Sequence, residues 1–148
     1  MIAENSSGVR TQMRDQTRPL PVPTPETAHF WEGTRQGELR LQRCVHCTHV
    51  YFPPRPFCPK CSNAEIETFA ASGRASLYSY VISQRSIPGF EAPYAIAVVQ
   101  LEEGPRMMTN ITGCAQTPEA LRLDMPLDVA FAKQNEEITL PLFKPSEA

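Results

Sequence analysis

The chain has 148 residues, which fits one ordinary domain or two very small ones. Apolar residues make up 41% of it and charged residues 20%, so we expect a soluble, folded protein. No apolar run approaches the roughly 18 residues that span a bilayer, and residues 1–16 lack the pattern of a secretory signal. We therefore expect a cytoplasmic location, where thiols stay reduced. The five cysteines, four of them clustered, then indicate metal binding rather than disulfides.

Charge is distributed unevenly along the chain, whose net charge is −2. Residues 35–85 hold seven basic and three acidic residues, a net of +4, whereas residues 86–148 hold four basic and nine acidic residues, a net of −5. Two faces with different partners would produce this asymmetry, although solvated surface charge is its usual cause. Four thiolates around one Zn²⁺ carry −2, so Arg43, Arg55 and Lys60 are expected to offset part of that charge.

The N-terminal region contains no periodic pattern. Residues 1–18 are polar and are expected to be disordered. From Pro19 to Pro25 every second residue is proline, which favours a stiff, polyproline-like conformation. We assign residues 1–23 to a flexible, proline-rich arm, which would lie across either a partner or its own domain.

A short helix is predicted next, within an N-terminal helical segment at residues 24–40. Thr24 followed by Pro25 has the features of a helix start, with an N-cap and a proline in the first turn. Gly37 is a suitable stop, so the helix should run over about 25–36. Phe30 and Trp31 would lie on its buried side or, alternatively, form an exposed docking pair.

A zinc ribbon is predicted over residues 41–72. Residues 39–43 and 51–52 favour two short strands, and each leads into or out of a cysteine pair. The pairs have the spacing C-x-x-C and are ten residues apart; they are Cys44 with Cys47 and Cys58 with Cys61. Two such knuckles supply four thiolates, which close a tetrahedral site and leave no position for a catalytic water. We therefore predict structural Zn²⁺, with a rubredoxin-like iron centre as the alternative.

The C-terminal half, residues 73–148, changes to a strand pattern. Its β-branched and aromatic residues alternate, and glycine and proline mark the turns between them. The predicted strands are 74–85, 92–101, 106–112, 127–133 and 138–143. A short helix of one or two turns is expected after Thr117. Five strands with a helix between the third and fourth have the order of an OB-fold barrel. The predicted fold is thus mainly β, with a short N-terminal helix, a rubredoxin-like zinc ribbon and a five-stranded OB-fold barrel.

The remaining reactive side chains do not form a catalytic set. His46 and His49 lie beside the first knuckle, but four thiolates already complete a metal site, so we expect both to face solvent. Cys114 has no histidine near it in sequence and is interpreted as a small core or loop residue. Nucleotide-binding glycine motifs and hydrolase motifs are absent from the sequence. We therefore predict no catalytic residues in this chain.

Over roughly residues 24–145 the chain resembles a thiolase-associated family with an N-terminal rubredoxin-like zinc ribbon and a C-terminal OB-fold. The matching segments are Phe30-Trp31-Glu32-Gly33, Gly37-Glu38-Leu39, Cys44 to Cys47 leading into Phe52-Pro53-Pro54-Arg55, Cys58-Pro59-Lys60-Cys61, Ser72-Gly73-Arg74, Pro93-Tyr94, Leu101 to Arg106, and Leu140-Pro141-Leu142-Phe143. Three positions depart from the family pattern, since Thr48, Ser62 and Asp124 stand where glycine is frequent at a turn with positive φ.

The resemblance implies a non-catalytic but required subunit that binds Zn²⁺. Its partner would be a thiolase-like protein that makes or cleaves a C–C bond in an acyl-CoA, and the two chains would enclose the CoA arm together. Candidate contacts with the partner or with CoA are Phe30, Trp31, Arg35, Arg55 and Arg74. On this interpretation neither nucleic acid nor a membrane is a partner.

Two other functions remain open from the sequence. OB-folds and zinc ribbons also bind single-stranded nucleic acid, and the +4 segment together with Tyr78 and Tyr80 would suit that role. Against it stand the pI near 5.9 and the −5 charge of the barrel half, where phosphate would bind. A small electron carrier would require iron in place of zinc.

Overall fold

The computed structural model describes residues 18–147. Most of the predicted arm, residues 1–17, lies outside this range, and residues 18–24 take no regular secondary structure. The elements are α1 (Ala28–Arg35), β1 (Arg40–Cys44), β2 (Val50–Tyr51), β3 (Ile66–Ala70), β4 (Arg74–Ser83), β5 (Tyr94–Leu101), β6 (Arg106–Thr109), β7 (Pro126–Lys133) and β8 (Thr139–Pro145). No helix in the described range is long and apolar enough to cross a membrane.

The helix α1 starts later than predicted because the residues before it form a separate turn. The N–H of Thr27 donates to the carbonyl of Thr24 at 3.0 Å, and the N–H of Thr24 donates to Thr27 Oγ1 at 2.9 Å. Thr27 thus takes the N-cap position that the sequence assigned to Thr24.

The predicted stop at Gly37 is confirmed. Its φ is +77°, which glycine adopts without the steric cost of a Cβ. The N–H of Gly37 donates to Thr34 O at 3.1 Å, and that of Glu38 donates to Gly33 O at 2.8 Å. These two bonds form a Schellman motif, which ends α1 and directs the chain into β1.

The ribbon is a three-stranded antiparallel sheet in the order β2-β1-β3. In the central strand β1, Gln42 pairs with Tyr51 of β2 on one side and with Thr68 of β3 on the other. The strand β3 is absent from the sequence prediction. Its five residues are exposed or half-buried, so they lack the alternation that indicates a strand.

The five remaining strands form one antiparallel sheet in the order β6-β5-β4-β7-β8. A parallel bridge between Ile111 and Phe143 joins its two edges, so the sheet closes into the OB-fold barrel. The predicted five-stranded OB-fold barrel is therefore confirmed. The predicted helix after Thr117 is wrong, because only the N–H groups of Ala120 and Leu121 bond to the Thr117 carbonyl before Leu121 enters the core.

One hydrophobic core connects the helix, the ribbon and the barrel. In β5 every second residue points inward, which buries Ala95, Ala97, Val99 and Leu101. The same cluster includes Phe30 of α1, Leu39 and Leu41 from the ribbon, and Leu77, Leu127 and Phe143 from the barrel. Ribbon and barrel therefore pack as one body. The division into segments 1–23, 24–40, 41–72 and 73–148 stays a prediction.

Candidate metal centre

The two knuckles bring four thiols into one cluster at the end of the ribbon. All four sulfur atoms lie within 4.8 Å of one another. Cys44 Sγ is 3.5 Å from Cys61 Sγ, and Cys47 Sγ is 3.6 Å from Cys58 Sγ. A tetrahedral site with Zn–S bonds of about 2.3 Å requires sulfur separations of about 3.8 Å. The donor set and its spacing therefore fit Zn²⁺.

Each knuckle is built by the same backbone hydrogen bonds. In the first, the N–H of Thr48 donates to Cys44 O at 3.0 Å, and in the second the N–H of Ser62 donates to Cys58 O at 2.9 Å. Thr48 has φ +62° and Ser62 has φ +66°, so both occupy the left-handed region. The resemblance to the family predicted a positive φ at these two positions, where Thr48 and Ser62 replace the frequent glycine.

Backbone N–H groups also point at the sulfur atoms and soften their charge. The N–H of Cys47 donates to Cys44 Sγ at 3.5 Å, and the N–H of Lys60 donates to Cys58 Sγ at 3.3 Å. Burial opposes ionisation of Cys58, but the N–H groups of Cys61 and Lys60 and the neighbouring thiols outweigh it and lower its pKa to about 7.

The pKa of Cys61 shifts in the opposite direction to that of Cys58. The N–H of Asn63 favours the Cys61 thiolate, but burial and the other three cysteines dominate and raise its pKa to about 12. Four thiolates cannot be held together at neutral pH without positive charge between them. A divalent metal supplies that charge and binds the thiolate form.

The metal cluster contains no histidine among the described residues. His46 is exposed, as predicted. His49 is half-buried, because its ring stacks on Tyr51 with 6.1 Å between ring centroids. With four protein ligands the metal site is closed, so it is suited to a structural role and lacks an open position for substrate.

The aromatic pair of α1 lies at an apolar groove between helix, ribbon and barrel. Phe30 is buried and packs edge-on against Trp31, with 5.0 Å between ring centroids, and against Phe52 at 5.3 Å. Trp31 is half-buried. The groove has a volume of about 210 Å³ and is lined by Phe30, Trp31, Phe52, Met107, Met108, Thr109, Asn110, Leu140, Pro141 and Leu142.

The three candidate arginines do not converge with this groove. Arg35 donates to the carbonyl of Glu137 at 2.8 Å and so ties α1 to the β7–β8 turn. Arg55 is exposed after the first knuckle, and its backbone N–H donates to Gln42 Oε1 at 2.8 Å. Arg74 forms an exposed ion pair with Glu102 at 3.1 Å. Each arginine therefore lies on a different element.

Sequence reasoning missed the barrel side of the groove. Met108 and Leu142 line it, although neither was a candidate. A usable signal was the pair Met107-Met108, because adjacent residues of a strand face opposite sides and one of the two had to point outward. A second cavity of about 550 Å³ separates the first knuckle from the β5–β6 turn.

The fifth cysteine is not poised for catalysis. Cys114 is half-buried beside the barrel, and burial raises the pKa of its thiol. A thiol that keeps its proton at neutral pH is a poor nucleophile. The prediction that it is a small packing residue agrees with this environment.

Fold and site define a protein in which a rubredoxin-like zinc ribbon is fused to an OB-fold barrel. A family model for the rubredoxin-like zinc ribbon domain of ChsH2 matches residues 31–67, and one for the C-terminal OB-fold domain of ChsH2 matches residues 69–132. The chain therefore belongs to the ChsH2 family, whose members include DUF35 scaffold proteins. The predicted cofactor, Zn²⁺, is confirmed.

Similar proteins include both scaffold proteins and enzyme subunits. A DUF35 domain-containing scaffold protein from Methanocaldococcus jannaschii is 38% identical over 98 residues, which cover 64% of this chain and 68% of that protein. The probable enoyl-CoA hydratase alpha subunit of Thermomonospora curvata is 36% identical over 87% of this chain. The chain spans only 40% of the length of that subunit.

Solved structures confirm the fold. A chain of the Ltp2-ChsH2(DUF35) aldolase superimposes with a TM-score of 0.77 at 35% identity, covering 85% of this chain and 98% of that one. A DUF35 family protein of unknown function from Sulfolobus solfataricus superimposes with a TM-score of 0.60 at 16% identity, which supports the fold alone.

Proposed function

We propose that this protein is a non-catalytic, zinc-binding subunit required by a thiolase-superfamily partner that makes or cleaves a C–C bond in an acyl-CoA. The observation that carries the proposal is the similarity to the ChsH2(DUF35) chain of an aldolase, which this chain matches over 98% of that chain's length. The names of the archaeal relatives, which are scaffold proteins, agree with a structural role.

The chemistry of the chain supports a subunit without an active site. Its four clustered cysteines would enclose a metal ion completely and leave no position at which the metal could bind and activate a substrate. Burial raises the pKa of its fifth cysteine, Cys114, which disfavours the nucleophilic thiolate. The nucleophile and the acid–base groups of the reaction would therefore belong to the partner.

The proposal includes joint enclosure of the CoA arm by the two chains. Trp31 and the groove beside it offer an apolar surface to the pantetheine arm or to the partner. Arg55 is exposed, and its guanidinium suits phosphate through paired N–H donors. Arg35 and Arg74 are also exposed, but they would have to leave the Glu137 carbonyl and the Glu102 carboxylate to bind phosphate. Phe30 contributes through packing, because its ring is buried.

Copurification and a reconstituted assay test this function. The tagged chain, expressed in its host, should copurify with a thiolase-superfamily protein, and only the two together should turn over an acyl-CoA. Chain variants with Cys58→Ser should lose zinc and the complex. Full activity of the purified partner alone would refute the role as a required subunit.

A further inference from the structure

The outer surface of the barrel carries an apolar face that nothing in the described chain covers. We define this apolar face by Tyr78, Val81, Ile96, Val98 and Met108, which lie on β4, β5 and β6. Val81 pairs across the strands with Ile96, and Val98 pairs with Met108, so the row is continuous. Met108 is 71% exposed, Val81 62% and Tyr78 46%.

Strand propensity does not account for this face. Valine and isoleucine are frequent on outer strand faces because they fit a pleated backbone, but methionine lacks that preference. Its neighbour Met107 points inward and is buried. A flexible thioether on the outside adapts to the shape of a bound surface, and large exposed apolar patches mark sites of interaction.

The apolar face runs into the groove beside Trp31. Met108 belongs to both, since it pairs with Val98 on the sheet and lines the groove together with Trp31 and Leu142. With about 210 Å³ the groove takes about one large apolar side chain. The combined surface therefore has a flat area and a pocket at one end, which is the usual anatomy of a protein interface with an anchor residue.

An arginine borders this surface at each end. At one end the Arg106 guanidinium lies 3.7 Å from the Tyr78 ring centroid, and its Nε donates to Gln100 at 2.8 Å. At the other end Arg18 lies over Phe90 at 4.4 Å, and Phe90 packs against Tyr94 at 5.0 Å.

Neither Arg106 nor Arg18 forms an ion pair within residues 18–147. Glu91 lies in the loop that holds Phe90, and Glu103 lines one cavity together with Arg106 and Lys60. The border therefore carries both signs of charge, and Arg106 and Arg18 are the cations in it that a partner could pair. A partner with carboxylates at the edge of an apolar surface would complement this arrangement. A second copy of the chain would not, because a twofold interface would place Arg106 and Arg18 of one copy against the same arginines of the other.

We infer that the apolar face and the groove form the docking surface for the thiolase-superfamily partner, which inserts one apolar side chain beside Trp31 and places carboxylates opposite Arg106 and Arg18. This inference rests on the proposed function and names the surface through which the subunit would bind its partner. Docking here leaves the zinc ligands outside the contact, so the metal would act by fixing the ribbon against the barrel.

The test uses the purified full chain and the purified thiolase-superfamily protein that copurifies with it. Met108→Glu and Val81→Glu should each weaken the complex by about tenfold or more, because each places a charge in an apolar contact. Val45→Glu is the matched control, since Val45 is 52% exposed on the first knuckle, and it should change the affinity less than about twofold. Zinc content and melting temperature are measured for every variant.

Charge reversal tests the border of the surface. Arg106→Glu should slow association and reduce its dependence on salt, whereas Lys144→Glu, an exposed cation on β8, should do neither. A complex that survives both Met108→Glu and Val81→Glu overturns this surface but leaves the proposed function intact.

Absence of any copurifying thiolase-superfamily protein overturns the proposed function and this inference together. The chain alone is also measured by light scattering and by binding to single-stranded DNA. If the chain forms a dimer or binds DNA, and Met108→Glu abolishes this, the apolar face binds a second copy or DNA instead. Either result would overturn the inference.

Discussion

Replacement of Phe30 by alanine should show that the two aromatic residues of α1 have different roles. Phe30 packs in the core, whereas Trp31 lies at the surface. Phe30 is 3% exposed and lies in the core that joins helix, ribbon and barrel. A buried Phe→Ala change costs about 3–5 kcal/mol, through lost transfer free energy and the cavity left behind. Loss of the two ring contacts, to Trp31 and Phe52, is included in that range.

The free energy of unfolding of zinc-loaded Phe30→Ala should thus fall by about 3–5 kcal/mol in urea titrations followed by circular dichroism. Trp31→Ala is the comparison. The Trp31 ring is half-buried at the groove, so this change should cost less than half as much. A loss below about 1 kcal/mol for Phe30→Ala, or a larger loss for Trp31→Ala, would refute the shared core as described.

Three further predictions concern the ribbon and its junction with the barrel. Cys58→Ser should abolish binding of one zinc per chain, whereas Cys114→Ser should retain it, as measured by elemental analysis of purified protein. Thr48→Gly should raise the free energy of unfolding by about 1 kcal/mol, because Thr48 has φ +62°, which glycine adopts without strain. The control is Thr68→Gly on the exposed strand β3, which should lower the free energy of unfolding in the same urea titration. Gly73→Ala should lower the melting temperature, since a Cβ at this position, with φ +81°, would lie 2.7 Å from Val129 Cγ1.

Each of these results has a contrary outcome. Full zinc content in the Cys58 variant would show that three thiolates suffice and that the site is not closed by four. A destabilised Thr48→Gly would mean that the Thr48 Oγ1 hydrogen bond to Cys47 O, at 2.6 Å, outweighs the backbone strain. An unchanged melting temperature for Gly73→Ala would mean that Val129 gives way without cost.

The metal site could be predicted from the sequence because its geometry is local. A C-x-x-C knuckle sets two sulfur atoms on one side of a single turn, and only the meeting of two knuckles requires the fold. Strand β5 was equally clear, since APYAIAVVQL alternates buried and half-buried positions. Gly37 ended α1 as predicted because only a few residues accept its φ.

Elements whose residues face solvent were not predictable in this way. Strand β3 is held by pairing with β1, so its own sequence carries little pattern. The first residue of α1 depended on a hydrogen bond between two threonine positions, which competes with the helix for the same backbone groups.

The candidate contacts on arginine could not be placed from the sequence either. Arg35 and Arg74 are held by groups distant in the chain, the carbonyl of Glu137 and the carboxylate of Glu102. The apolar face arises from the register of three strands, and that register pairs Met108 with Val98. Neither arrangement follows from neighbouring residues alone.

The single core has a consequence for how this fold is exchanged between proteins. Leu39 and Leu41 of the ribbon belong to the same buried cluster as Leu77 and Leu127 of the barrel, so a cut between the halves would expose apolar surface on both. We therefore expect ribbon and barrel to be inherited together rather than separately. The chain matches 40% of the length of a hydratase alpha subunit and 98% of the length of an aldolase chain. This agrees with a unit of ribbon and barrel that occurs both within a longer protein and as a separate chain.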